Sequence, residues 1–390
     1  MTDELDPQTL AVTTGRGDQH GALAPVLWST TTFAFDRVED ASRKATTPRV
    51  RDLYGRYGNP TVAAFEETVA ALEGAEASLA FSSGMGAITT VLLTLLKQGD
   101  HAVFGRQLYA STVRTVHDLL PRLGVDVTVV DVTDTAAIEA AVVPGRTMAI
   151  FIESPANPLC QLADLEAIAA IKGPIKVCDA TFATPMVCRP LDFGFDLSLH
   201  SATKGLGGHN DALLGVVSGS VELITWIWGY HSFIGASASP AEAQNALRGL
   251  RTLGVRLRQQ TETATRLATL FEGHTAVARV HYPGLDSHPQ ADIARRQLHM
   301  GGAVLAVELA GGLDAGRRLC EDAAIPMLAP SLGGPETLLS HPASMTHVDL
   351  TPEQRAEAGI ADGLVRISVG LEHPDDLVAD FERVLRALGA

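Results

Sequence analysis

A lysine set among hydroxyl residues and glycines is the first candidate for chemistry in this 390-residue chain. Lys204 follows an apolar run, has Ser201 and Thr203 just before it, and is followed by glycines. A lysine that forms a Schiff base must lose its proton, and partial burial near a strand end favours that loss. The neighbouring hydroxyls can donate to a phosphate. A lone lysine in a polar loop is usually an ordinary surface residue, so the hypothesis depends on its surroundings.

An aspartate before that lysine completes a recognisable pair. Asp179 directly follows the predicted strand 175–178. The ring of pyridoxal 5′-phosphate (PLP) is an electron sink only while its pyridine nitrogen is protonated, which requires a buried carboxylate beside it. The carboxyl ends of parallel strands line one crevice, so Asp179 and Lys204 can converge there. The pair indicates a PLP site, and an aspartate that merely forms a turn is the alternative.

Three weaker features fit the same site. Gly84 and Met85 lie in a strand-to-helix turn, where backbone amides and the helix dipole favour a phosphate. Tyr109 follows another predicted strand and can lie against a ring, although a core tyrosine is the commoner case. Arg366 interrupts an apolar strand, and a buried arginine needs an anion such as an amino-acid carboxylate or a structural salt-bridge partner.

The elements that must position these residues alternate along the chain. Short apolar runs separated by helical patterns predict an α/β fold with a doubly wound, mostly parallel sheet. The predicted strands are 78–81, 101–104, 127–130, 147–152, 175–178, 197–200 and 213–218, and the predicted helices are 61–73, 86–96, 111–119 and 165–171.

The length of the chain exceeds what one hydrophobic core usually serves, which predicts two domains. We expect an irregular N-terminal arm over 1–56 that packs against a neighbouring subunit, and a PLP-binding domain over 57–250. A smaller C-terminal α/β domain over 251–390 would contain strands 277–282, 303–309 and 365–369. The junction is predicted within one long helix over 241–271.

Composition and charge exclude several other classes of protein. The chain is 46% hydrophobic and 19% charged, which is typical of a globular protein. Its net charge of −15 and the absence of a basic run disfavour nucleic acid and anionic membranes as partners. The four cysteines form no C-x-x-C pair, and the N-terminus lacks the features of a signal peptide. The most apolar stretch, 213–228, contains Glu222 and several glycines, so no membrane span and a soluble, cytoplasmic protein are expected.

Nine short motifs extend these features along the chain: 54–61 (YGRYGNPT), 83–85 (SGM), Tyr109, 153–158 (ESPANP), 179–181 (DAT), 201–204 (SATK), 281–285 (HYPGL), 331–334 (SLGG) and 365–370 (VRISVG). In this order they resemble the Cys/Met-metabolism family of PLP-dependent enzymes, which contains cystathionine γ-synthase, cystathionine γ-lyase and methionine γ-lyase. The resemblance covers essentially the whole chain. It implies the PLP-dependent aminotransferase-like fold (fold type I).

The resemblance also implies a role for each matched residue. Lys204 carries the cofactor and shuttles protons, Asp179 keeps the pyridine nitrogen protonated, and Tyr109 stacks on the ring and protonates the departing sulfur. The phosphate would be bound by Gly84, Met85, Ser201 and Thr203. The substrate carboxylate would be bound by Arg366 and Ser331. Asn157 would bind either that carboxylate or the ring hydroxyl.

The same resemblance implies an oligomer. In the family, Tyr54 and Arg56 reach the phosphate bound by a neighbouring subunit. A homodimer is therefore the minimal active unit expected, and a tetramer of two dimers is the usual assembly.

Within the family the stretches 83–89, 200–204, 316–318 and 341–347 look most similar to the methionine γ-lyases, which implies elimination of methionine to methanethiol, ammonia and 2-oxobutanoate. Four sites, one of them a pair of residues, depart from that pattern. Ser111 stands where those enzymes have cysteine, Ala180 where the family has asparagine, Gly205 where it has a bulky residue, and His231-Ser232 where a Lys-Asp pair is usual. A cystathionine γ-lyase, or a γ-replacing synthase that uses an activated homoserine, stays open as the alternative.

Enzymes of other classes fit the sequence less well. Residues 201–204 match the S-x-x-K motif of serine acylases, but the S-D-N and K-T-G strings that this chemistry needs are missing. The 13 histidines include no H-E-x-x-H pattern, which disfavours a zinc hydrolase. A non-catalytic binding protein would leave a buried lysine, aspartate and arginine without a purpose.

Overall fold

The structure is a computed structural model that describes residues 5–17, 21–346, 348 and 351–389. The side chains of Gln354 and Glu357 are outside that description. Parts of the predicted arm (1–4 and 18–20) and His347, from one stretch that resembles the methionine γ-lyases, also lie outside the described residues.

The larger sheet has seven strands, as the alternating pattern predicted. Its order is β1-β7-β6-β5-β4-β2-β3. All neighbours are parallel except β7, which runs antiparallel to both β1 and β6. The strands are β1 Ala77–Phe81, β2 His101–Gly105, β3 Asp126–Val130, β4 Thr147–Glu153, β5 Ile175–Asp179, β6 Leu197–Ser201 and β7 Gly215–Gly219.

Helices cover both faces of this sheet, and the strand sequences reflect that. Successive residues of β4 alternate between two hydrophobic clusters: Ile150 and Ile152 pack on one side, and Phe151 packs on the other. A strand buried on both faces reads as a continuous apolar run without polar alternation. The sequence pattern therefore identified these strands to within one or two residues at either end.

The helices mostly match the prediction, with one error. Asn59 caps the helix that begins at Pro60, because its side-chain oxygen accepts a hydrogen bond from the backbone N–H of Thr61 at 2.8 Å. The long helix predicted over 241–271 is wrong: it is two helices, interrupted at Arg251 and Thr252. Their apolar spacing continues across the break, so periodicity alone did not reveal it.

The α-helices of the described chain are α1 Pro7–Thr13, α2 Val38–Ala45, α3 Pro60–Glu73, α4 Gly84–Leu95, α5 Ala110–Arg114, α6 Leu120–Arg122, α7 Thr135–Ala140, α8 Leu165–Ala169, α9 Val221–Ile234, α10 Pro240–Leu250, α11 Leu253–Glu272, α12 Ala291–Gln297, α13 Gly312–Asp322, α14 Pro352–Glu357 and α15 Pro374–Leu388. A π-helical turn lies at Thr115–Leu119, and 3₁₀ turns lie at Pro190–Phe193 and Pro342–Ser344.

A second, five-stranded sheet lies in the C-terminal part of the chain. Its order is β10-β11-β12-β9-β8, and only β10 and β11 pair in parallel. The sequence analysis missed β10 and β11, because strands of two and three residues are too short to carry a periodic signal. The strands are β8 Val277–His281, β9 Val304–Leu309, β10 Met327–Leu328, β11 Leu338–Ser340 and β12 Leu364–Ser368.

Helix α11 joins the segments that carry the candidate site. The buried guanidinium of Arg256 donates to the carbonyl oxygens of Gly205, at 3.2 Å, and Gly249, at 2.9 Å. One turn later, the buried amide of Gln260 donates to the carbonyls of Gly334 and Val369 at 2.9 and 3.0 Å. The first contact fixes the loop after Lys204, and the second fixes two segments beside the C-terminal sheet. No helix in the described part of the chain is long and apolar enough to cross a membrane.

Candidate active site

One cavity of about 370 Å³ collects most of the residues that the sequence analysis singled out. It lies at the carboxyl ends of the parallel strands, where the topology of such sheets places ligands. The predicted residues that line it are Gly84, Met85, Tyr109, Asn157, Asp179, Ser201, Thr203, Lys204, Ser331 and Arg366. Their individual roles stay predictions, but the structure brings these side chains together.

Lys204 lies in the loop after β6 and reaches across to the C-terminal part of the chain. Its Nζ donates a hydrogen bond to Ser331 Oγ at 2.6 Å. Burial, with a smaller contribution from the positive charge of Arg366, lowers the pKa of Lys204 to about 8. Near neutral pH an appreciable fraction of this amine is therefore unprotonated and nucleophilic.

Asp179 ends β5 beside that lysine and is held by a residue that the sequence analysis quoted without giving it a role. The N–H and the hydroxyl of Thr181 both donate to Asp179 Oδ1, at 3.0 and 2.5 Å. The Thr181 hydroxyl oxygen also accepts from the backbone N–H of Ser201 at 2.8 Å, which ties β5 to β6. Burial raises the pKa of Asp179, against the hydrogen bonds from Thr181. A cationic group beside this carboxyl would stabilise its charged form.

The amino end of α4 is the predicted binding site for the phosphate. Ser83 caps the helix by accepting from the N–H of Gly86 at 3.0 Å. A Cβ atom on Gly84 would come within 2.8 Å of Ser201 Cβ, so glycine keeps this approach open. Thr203 also lines the cavity, but its hydroxyl is bonded to the backbone of Leu214. A bound phosphate would take that donor from the Leu214 carbonyl.

Tyr109 and Asn157 are anchored by a buried carboxyl that the sequence analysis did not identify as functional. Glu153 Oε2 accepts from the backbone N–H of Tyr109, and its Oε1 accepts from that of Asn157, each at 2.9 Å. Burial and the neighbouring Asp179 raise the pKa of Glu153 well above its ordinary value. The phenol of Tyr109 stays free to project, since the residue is 49% exposed in this chain.

Arg366 lies buried on β12 at the opposite wall. It donates to Asn157 Oδ1 at 3.1 Å and to the carbonyl oxygen of Ser331 at 2.7 Å. Its Nε has no hydrogen-bond partner among the described residues, although the atom is buried. Burial lowers the pKa of Arg366 to about 10. An unpaired donor on a buried guanidinium is a position where a carboxylate oxygen would be stabilised.

Tyr54 and Arg56 do not line this cavity. Arg56 donates to the carbonyl of Ser232 at 2.5 Å, and its guanidinium lies 4.9 Å from the ring centroid of Tyr57 and 5.7 Å from that of Tyr54. Tyr54 and Arg56 are both exposed. Their predicted role, which is to bind the phosphate held by a neighbouring subunit, stays a prediction.

Two of the four departures from the methionine γ-lyase pattern have a packing explanation. A Cβ on Gly205 would meet Thr184 Cγ2 at 2.8 Å, so the family's bulky residue does not fit here without a shift. Ala180 is fully buried in the core beneath the site. Ser111 and Ser232 do not line the cavity within the described residues.

Comparisons with known proteins agree with this geometry. Residues 8–386 match the model of the Cys/Met metabolism PLP-dependent enzyme family. The L-methionine gamma-lyase of Pseudomonas putida is 44% identical over 375 residues, which cover 95% of this chain and 94% of that enzyme. Cystathionine gamma-synthase 1 of Arabidopsis thaliana is 39% identical over 377 residues, covering 96% of this chain and 67% of that protein.

A solved structure gives the same result for the fold. The structure of cystathionine gamma-lyase from Lactobacillus plantarum superposes with a TM-score of 0.92 at 36% identity, covering 99% of this chain and 100% of that one. The predicted α/β architecture, with a large mostly parallel sheet and fold type I topology, is therefore confirmed. The chain belongs to the Cys/Met metabolism family of PLP-dependent enzymes, and its cofactor is PLP.

Proposed function

We propose that this protein is a PLP-dependent carbon–sulfur lyase that catalyses γ-elimination of methionine, or of a closely related thioether amino acid, to a thiol, ammonia and 2-oxobutanoate. One observation carries the proposal: the amine of Lys204, with its pKa lowered to about 8, shares a single cavity with Asp179, Tyr109 and Arg366. The similarity to L-methionine γ-lyases supports the choice of substrate.

The donors of the cavity fit PLP chemically. Asp179 is a buried carboxyl with a raised pKa, and a protonated pyridine nitrogen would stabilise its charge. The amino end of α4 and the hydroxyl of Ser201 would hold the phosphate. Lys204 supplies the amine that an aldehyde requires.

When bound, PLP withdraws electrons from the substrate and makes the hydrogen on its α-carbon acidic. The side chains of this protein would perform the remaining work. Arg366 would hold the substrate carboxylate and thereby fix the α-carbon near Lys204. Lys204 would accept the proton from that carbon, deliver it to the cofactor, and only then, as a neutral amine again, accept one from the β-carbon. Tyr109 donates its hydroxyl proton to the sulfur as the γ-carbon–sulfur bond breaks, so that sulfur departs as a thiol.

A second cavity supports an alternative substrate. It has a volume of about 350 Å³ and shares Ala110, Asn157 and Thr346 with the first cavity. Arg106 and Arg114 both line it. Two arginines in a cavity that adjoins the first would suit a substrate with a second carboxylate, as in cystathionine or an O-succinyl homoserine. This observation favours cystathionine γ-lyase, or a γ-replacing synthase, as the second candidate.

We also propose that the active unit is a homo-oligomer of at least two subunits, and that the usual assembly is a tetramer. Tyr54 and Arg56 are exposed and lie outside the cavity of their own chain. The segment that carries them contacts the end of α9 through the bond from Arg56 to the Ser232 carbonyl. In a dimer this surface would complete the phosphate site of the neighbouring subunit.

The pKa of Lys204 sets the pH dependence of cofactor attachment. Only the neutral amine attacks an aldehyde, so the attachment rate in the apoprotein should rise about tenfold per pH unit below pH 8 and level off above it. Stopped-flow absorbance after mixing apoprotein with PLP, between pH 6.5 and 10.5, measures this rate. A rate that continues to rise through pH 10 would mean that Lys204 is an ordinary lysine. Lys204→Ala is the blank.

Replacing Tyr109 by phenylalanine should slow poor leaving groups selectively. Methionine turnover should fall by about 10²–10⁴-fold, the usual worth of general acid help, while O-acetyl-homoserine should lose much less. Initial rates on both substrates give the comparison. Tyr282→Phe, which removes a buried hydroxyl outside the cavity, is the matched control and should leave the ratio unchanged. Equal slowing of both substrates by Tyr109→Phe would reduce its role to ring stacking.

Subunit mixing tests the shared site. Arg56→Ala and Lys204→Ala proteins should each be inactive, but a mixture that exchanges subunits should regain activity, since one site per hybrid dimer contains both native residues. A mixture of Arg56→Ala with the Arg56→Ala/Lys204→Ala double variant is the control and should stay inactive. Demonstrated exchange without recovered activity would contradict the shared site.

A further inference from the structure

Glu153 occupies an unusual position in the cavity. It is the last residue of β4, is 4% exposed, and pairs in register with Asp179 on β5. Both carboxyls therefore lie at the carboxyl ends of adjacent parallel strands. The roles derived so far make no use of Glu153 itself, although it lines the cavity.

Its two oxygens serve two different segments. Oε2 accepts from the N–H of Tyr109, the residue immediately before α5, and Oε1 accepts from the N–H of Asn157, in the loop between β4 and α8. Asn157 in turn receives a hydrogen bond from Arg366 at 3.1 Å. The planar carboxyl of Glu153 thus sets the distance between Tyr109, on one side of the cavity, and Arg366, on the other.

We propose that Glu153 is a positioning residue for the reaction, which aligns the Tyr109 hydroxyl with the leaving group while it holds Asn157 and Arg366 on the substrate carboxylate. The inference rests on the proposed function, because it assigns Tyr109 the acid role given there. A misplacement of about 1 Å in such a constellation costs roughly 10²-fold in rate.

The chemistry of the group explains why glutamate stands here. Both backbone donors need acceptors, and a carboxyl offers one to each, whereas glutamine offers a single carbonyl and turns an N–H₂ group toward the other N–H. Burial and Asp179 raise the pKa of Glu153, while the bonds from Asn157 and Tyr109 and the charge of Arg366 lower it. Aspartate keeps both acceptors but is shorter by one methylene, so Glu153→Asp should retain part of the function.

A double-mutant cycle between Glu153→Gln and Tyr109→Phe tests the proposal. Wild type and the variants are assayed as holoenzymes on methionine, cystathionine and O-acetyl-homoserine, with kcat and KM measured separately. Glu153→Gln should lower kcat for methionine by about 10²-fold, raise KM through Asn157 and Arg366, and spare the better leaving group. In the Tyr109→Phe background, Glu153→Gln should lower kcat far less than it does in the wild-type background, because both changes disable the same acid.

The control is Glu372→Gln. Glu372 is half-buried and does not line the cavity, and its carboxyl also accepts on both oxygens, from the N–H of Thr337 at 2.6 Å and from the Thr337 hydroxyl at 2.7 Å. It should lower the melting temperature without changing the ratio between leaving groups. If Glu153→Gln does not fold, the cycle is run with Glu153→Asp.

Several results would overturn the proposal. They are full additivity in the cycle, equal slowing of all three substrates, or a Glu153→Gln enzyme as active as wild type. A failure of the proposed function is distinct: wild type would release no methanethiol from methionine, and the cycle would then be read on whichever substrate is turned over.

Discussion

One contact between distant parts of the chain brings the two sides of the site together: the hydrogen bond from Lys204 Nζ to Ser331 Oγ. Burying an amine is costly while it carries its proton, and the cost appears as a pKa lowered to about 8. Ser331 itself has a φ of 90°, a region that few residues other than glycine adopt. That backbone lets its hydroxyl face Lys204 while its carbonyl faces Arg366 at 2.7 Å. Strain of this kind tends to persist only where the surrounding packing enforces it.

Helix α11 supplies much of that enforcement. Arg256 holds the loop after Lys204, and Gln260 holds the segments that contain Gly334 and Val369. Gly333 approaches so closely that a Cβ atom there would come within 2.5 Å of the backbone nitrogen of Gly205. Its φ of 80° also favours glycine. The two halves of the cavity are thereby fixed to one another through backbone contacts and two buried polar side chains.

Much of this architecture could be predicted from the sequence, because strands buried on both faces and capped helices leave local signals. Asp179 ends such a strand, and Lys204 and Tyr109 each follow one, so the sheet topology alone brought them to one edge. Features that depend on distant packing left no such signal. The break at Thr252 lies within an unbroken apolar period, and Glu153 looks like the polar end of a strand until Tyr109 and Asn157 are seen to donate to it. The role proposed for Tyr54 and Arg56 rests on the family resemblance, because no local sequence pattern encodes a contact with another subunit.

The electrostatics of the cavity contrast with those of the whole protein. The chain has a net charge of −15, yet Lys204 and Arg366 line the first cavity, and Arg106 and Arg114 line the second. The first cavity also contains the carboxyls of Asp179 and Glu153, so it is the guanidinium groups, and not a net positive charge, that favour anionic ligands such as an amino-acid carboxylate. The choice among thioether substrates would then depend on which groups on the substrate sulfur the second cavity can bind.

The central claim is that Lys204 holds the cofactor in this protein. Borohydride reduction of the holoenzyme, followed by proteolysis and mass spectrometry of the peptides that carry the cofactor, tests it most directly. The account predicts a single modified lysine, Lys204. A label on Lys172 or Lys176, with Lys204 unmodified, would contradict it.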